Sequence, residues 1–122
     1  MQPTPASSRR LIRVLFWIAA VVAFAAAVSP PGTAPELVPW DKAQHFIAFY
    51  VLAFLGAAAY PRFSLLKIGA GLSAFGALIE LVQAIPFVHR DADFWDWAAD
   101  TVAVTAALAP LVLVRMRVWL AG

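Results

Sequence analysis

The sequence contains no cysteine, which removes disulfide frameworks, zinc–thiolate centres, thiol nucleophiles and palmitoylation together. Charge is almost as scarce: 13% of the 122 residues are charged, against about a quarter in an ordinary soluble domain. No phosphate-cradling glycine loop occurs, because most of the glycines lie in apolar runs. A hard-ligand metal centre would have to draw on His45, Glu80, Asp96 and Asp100, but the chain has neither a His-x-x-x-His pair nor a Glu-x-x-His motif. No metal and no cofactor are therefore expected, and no nucleophile with an activating partner marks a catalytic site.

What the chain has is apolar length. Hydrophobic residues make up 63% of it and the mean hydropathy is +0.81, more apolar surface than a soluble core of this size can hide, so bilayer hydrocarbon is the expected solvent. Leu11 to Val28 forms the first run, closed by Ser29-Pro30-Pro31-Gly32. Phe46 to Tyr60 forms the second, extended back through His45 and Lys42 to Asp41 and stopped by Pro61-Arg62. Ile68 to Val88 carries Glu80, Gln83 and Pro86 in its outer third, and Trp97 to Val114 carries Asp100. The expectation is an all-α membrane protein, a four-transmembrane-helix bundle with short loops. A disordered tail over 1–10 would precede one membrane domain over 11–117, with helices near 11–28, 41–60, 65–86 and 93–115.

A cleaved export signal, which Ser8-Arg9-Arg10-Leu11-Ile12-Arg13 superficially suits, is disfavoured by Pro30 at the would-be cleavage site and by the apolar runs that follow. Basic residues concentrate in short cytoplasmic segments. With four spans and an inside N-terminus, Arg9, Arg10, Arg13, Arg62, Lys67, Arg115 and Arg117 share that side, while Lys42, Arg90 and all seven acids fall in the outer half. Both termini are then cytoplasmic, in a bacterial cytoplasmic membrane. Trp40, Trp95 and Trp97 belong to the outer interface and Trp119 to the inner. Nine scattered basic residues make no basic face, so the pI near 9.5 does not point to nucleic acid.

Helical spacing gathers the polar residues into stripes. Gly69, Ser73, Gly76, Glu80 and Gln83 share one face, as do Asp93, Asp96, Asp100, Ala103 and Ala107, and Asp41, His45, Ala48, Leu52 and Gly56. Small residues on such faces admit a neighbouring helix, and leave room for a homodimer. The expected cluster has Arg90 bridging two carboxylates among Glu80, Asp96 and Asp100. Asp41 with Gln44, and Asp93 with Asp96, also suit helix starts. Lys42 can snorkel, His45 stands one turn from Asp41, and His89, Asp91 and Glu36 read as solvated loop residues. Glu80 is the least ordinary member, since its apolar helix gives it no terminus of its own to cap.

Asp41-Lys42-x-x-His45-Phe46-x-x-Phe49, then Glu80-x-x-Gln83, then Arg90 with Asp96 and Asp100, resembles the VanZ-like family across nearly the whole chain. The resemblance implies a small bacterial membrane protein of four or five helices, related to one that gives low-level teicoplanin resistance, and no settled mechanism. Asp100 stands where the family commonly has Asn, and Ala103 where it has glycine, which exchanges amide donors for charge. Asp41, Lys42, His45, Glu80, Gln83, Arg90, Asp96 and Asp100 are thus candidate ligand-binding residues. Their partners would be membrane lipids, and a headgroup, cell-wall precursor or lipoglycopeptide. The alternatives are an enzyme on a lipid-linked substrate, with Glu80 or His45 as base, or a structural brace with no ligand.

Overall fold

The computed structural model describes residues 5–29, 41–88 and 92–122. They form four helices: α1 (Pro5–Val28), α2 (Asp41–Ala59), α3 (Leu65–Gln83) and α4 (Phe94–Ala121), with one 3-10 turn at Pro86–Val88. All four are long and apolar enough to cross a membrane, and no strand occurs among the described residues.

The elements differ from expectation mainly at their ends. α1 begins at Pro5 rather than after residue 10, because proline is preorganised for a first helical turn and Ala6, Ser7 and Ser8 do not break one. α3 stops at Gln83, ahead of Pro86, whose missing N–H ends regular pairing. α4 continues through Pro110 to Ala121, six residues past the expected 115, so Trp119 is helical.

α2 lies between α1 and α4 and packs most extensively on α4, while α3 closes the bundle against α4. Alanines make this close approach available: Ala53, Ala103 and Ala107 are wholly buried, with Phe49, Leu52 and Ile79 beside them. Gly76 is the tightest point. A Cβ there would lie 2.8 Å from Asp100 Oδ2, so only glycine lets the α4 carboxylate rest on the α3 backbone. Large apolar side chains also cover the outside of the bundle, with Leu11, Trp17, Val21, Leu66, Val102 and Leu120 all more than half exposed. That surface fits lipid, not water.

The ends of the bundle are chemically opposite. Ser64 caps α3 by accepting from the Lys67 N–H, and Arg13 and Arg115 donate to the Ala59 and Phe63 carbonyls around the α2–α3 turn. That end holds the start of α1 and the end of α4. At the other end Gln83 reaches across to donate to the Ala27 carbonyl at 2.8 Å, joining the ends of α3 and α1.

Candidate functional site

The polar residues converge where α2 and α4 begin and α3 ends. His45 projects from the first turns of α2, and its Nδ1 lies 2.9 Å from Asp100 Oδ1 on α4. A carboxylate only accepts, so the imidazole donates through Nδ1 and turns Nε2 toward Asp96, 3.9 Å away and too far for a hydrogen bond. Asp100 is fully buried and Asp96 nearly so. One turn earlier on α2, Lys42 Nζ donates to Asp93 Oδ2 at 2.8 Å and stands 3.4 Å from Asp96 Oδ1. Lys42 therefore supplies a cation that bridges carboxylates, instead of simply snorkelling.

Asp93 has two roles. Its Oδ1 accepts from the Trp95 N–H and caps α4, while Oδ2 faces Lys42. The Lys42 ammonium, with the Trp95 N–H behind it, holds the Asp93 carboxyl below the usual aspartate range. Glu80 corrects the expectation that it had nothing to cap: Oε2 accepts from the Asp93 backbone N–H at 2.8 Å, so an acid at the end of α3 anchors the start of α4. Its Oε1 is shielded from solvent and receives no hydrogen bond among the described residues. The same is true of Gln83 Oε1.

Of the eight residues expected at the site, the structure gathers Lys42, His45, Asp96 and Asp100 into one network and brings Glu80 to it. Gln83 is buried on the same α3 face but engages α1. Asp41 opens α2, and its side chain lies outside the described atoms; Arg90 and its expected bridge lie outside the described residues, as do His89, Asp91, Glu36 and Trp40. Spacing puts Ser73 on the α3 stripe and Trp97 at the outer interface, but it marks neither of them, nor Thr101, as a participant in the site. Ser73 and Thr101 share a hydrogen bond of 2.9 Å, and Trp97 Nε1 donates to the Ser73 carbonyl at 3.1 Å, directing the indole inward. Thr101 is four residues from Trp97 on the face toward α3, a spacing that could have paired them.

His45, Glu80 and Asp100 come from three helices, and one ligand-type atom from each lies within 4.8 Å of the others. No local motif could have announced that set, since each residue belongs to a different element. An imidazole with two carboxylates is a donor set that divalent cations accept, with spacings of about 3–4 Å expected around a bound ion. The same atoms would equally receive an ammonium or another donor-bearing group. Among the described residues four carboxyl groups, Glu80, Asp93, Asp96 and Asp100, gather around one lysine and one histidine.

No family model, curated protein or solved structure matches the chain. The geometry therefore carries the functional reading.

Proposed function

We propose that this chain is a VanZ-like protein of the bacterial cytoplasmic membrane. Its outward-facing polar cluster binds a lipid headgroup, cell-wall precursor or lipoglycopeptide. The observation that supports this reading is the convergence of His45, Glu80 and Asp100 from three helices, with Glu80 Oε1 shielded yet receiving no donor among the described residues. A shielded acceptor such as Glu80 Oε1 selects a ligand by its ammonium or hydroxyl donors, which all three ligand classes can present. Trp95, two-thirds exposed beside the cluster, offers a flat apolar surface at the same level.

The deciding experiment replaces Glu80 with Gln and measures teicoplanin and envelope-stress sensitivity alongside the amount of protein in the membrane. Altered sensitivity at unchanged abundance is expected. Unchanged sensitivity at unchanged abundance would overturn the binding role.

A second reading, the brace, draws on a different observation: Lys42 and His45 tie α2 to three acids of α4, and Glu80 ties α3 to the same helix start. Under it, Glu80→Gln lowers abundance and any phenotype disappears when expression is restored.

A further inference from the structure

The opposite end of the bundle holds a cavity of about 290 Å³ lined by Arg9, Arg13, Pro61, Arg62 and Phe63. Three exposed arginines around one cavity, with no acid in its lining, make a locally positive mouth that water and salt screen when it is empty and that a shared anion would neutralise. We propose that this cavity is a binding site for a phosphate-bearing anion, with the headgroup of an anionic phospholipid as its source. The site is separate from the acidic cluster and stands whether or not that cluster takes a ligand.

No acidic side chain among the described residues lines this cavity. Among the described residues Asp41, Glu80, Asp93, Asp96 and Asp100 belong to the other end of the bundle. Arg9 and Arg62 make no hydrogen bond or ion pair among the described residues. Arg9 and Arg13 are four apart on α1, where like charges cost each other stability. The turn between α2 and α3 brings Arg62 to them.

Arg13 is already oriented for an anion. Its Nε donates to the Ala59 carbonyl at 3.0 Å, and its guanidinium carbon sits 5.0 Å from the centre of the Tyr60 ring. Tyr60 is itself fixed through its hydroxyl, which accepts from Trp17 Nε1 at 2.8 Å. These contacts set the guanidinium plane before any ligand arrives and leave the outer edge of its fork for the paired phosphate oxygens that arginine prefers. The N-terminus of α3, with no acid in its first turn, adds partial positive charge beside Phe63.

The lining also discriminates between phosphate sources. Pro61 and the half-exposed Phe63 form an apolar wall, and Leu66, three residues on, is 84% exposed. A glycerophospholipid has glycerol and acyl carbons to lay on that wall, and free phosphate has none. Basic pockets at the ends of membrane helices suit such headgroups, and the volume is near the lower end of ligand pockets, about 300 Å³.

The test is thermal unfolding of the detergent-solubilised full chain with added phosphatidylglycerol, phosphatidylcholine or inorganic phosphate. Phosphatidylglycerol alone is expected to stabilise it. The double variant Arg9→Gln/Arg62→Gln should weaken the apparent phosphatidylglycerol affinity about 30-fold, and Arg62→Gln alone about fivefold should the double variant not fold. Arg115→Gln/Arg117→Gln, which removes two charges from the same end but not from the cavity, should change it by less than about threefold. Equal stabilisation by phosphatidylcholine, or an equal loss in the Arg115/Arg117 variant, would overturn the site. Inorganic phosphate acting as strongly as phosphatidylglycerol would overturn the lipid as its source.

Discussion

Asp100 is the residue whose environment is least forgiving. It is wholly enclosed, it accepts from His45, and it lies against the backbone at Gly76. Replacing it with Ala strands the His45 N–H in a buried setting, at a cost of about 1–3 kcal/mol. Asp100→Asn keeps an acceptor for that N–H and nearly the same volume. Thermal unfolding in detergent should therefore show a clear loss for Asp100→Ala and a markedly smaller one for Asp100→Asn; equal losses would mean that the hydrogen bond to His45 is not what the carboxyl provides. Asp93 differs because it is over a third exposed and its partner Lys42 nearly so. Its folded-state pKa is depressed below its unfolded value, so its contribution to stability is complete above the unfolded pKa and disappears as pH falls through the folded one. Stability measured below about pH 4 should fall less steeply in Asp93→Asn than in the parent chain. Raised salt should shrink the difference, since the pair is screened.

Helical periodicity made the faces of the elements legible. Gly76 and Gln83 are buried on the stripe that spacing defines in α3, and Asp96, Asp100, Ala103 and Ala107 are buried on that of α4. Partner choice was less legible, because it depends on which helices become neighbours. Lys42 meets Asp93 and Asp96 across the α2–α4 interface, a relation between residues 51 and more positions apart that no single-helix pattern records. Glu80 looked isolated for the same reason, its acceptor being used by the backbone at the start of another helix. Helix ends were read least well: α1 and α4 extend past the apolar runs that revealed them, since polar and basic residues at a membrane boundary continue a helix without hydropathic signature. The α3–α4 contact makes its own prediction. Gly76→Ala places a methyl 2.8 Å from Asp100 Oδ2, and because that carboxylate is enclosed the two helices must separate or the His45 hydrogen bond must stretch. A loss of about 1–3 kcal/mol is expected on unfolding in detergent, whereas Gly71→Ala, with open space around it, should be neutral or slightly stabilising. Equal effects would show that α3 and α4 do not approach as closely as this.

Among the described residues the two ends of the bundle divide the charge almost completely, and that division bears on how the bundle sits in a membrane. The basic end carries Arg9, Arg10, Arg13, Arg62, Lys67, Arg115 and Arg117 around the start of α1, the end of α4 and the α2–α3 turn, while the acidic cluster occupies the other end. Charge bias of this kind sets orientation because short basic segments resist translocation, whereas acids contribute little. The basic end should then face the cytoplasm, and the cluster of His45, Glu80 and Asp100 should face outward, where an envelope ligand would meet it. The lack of native cysteine makes this directly measurable, since any introduced thiol is the only one in the chain. Ala92 and Ala6 are both exposed and lie at opposite ends of the bundle. Ala92→Cys should be labelled by a membrane-impermeant maleimide in intact cells, and Ala6→Cys only after the membrane is opened. The reverse pattern would turn the acidic cluster toward the cytoplasm and end its proposed role with an outer ligand. It would leave the arginine-lined cavity intact but move it to the outer leaflet, where the supply of anionic headgroups differs.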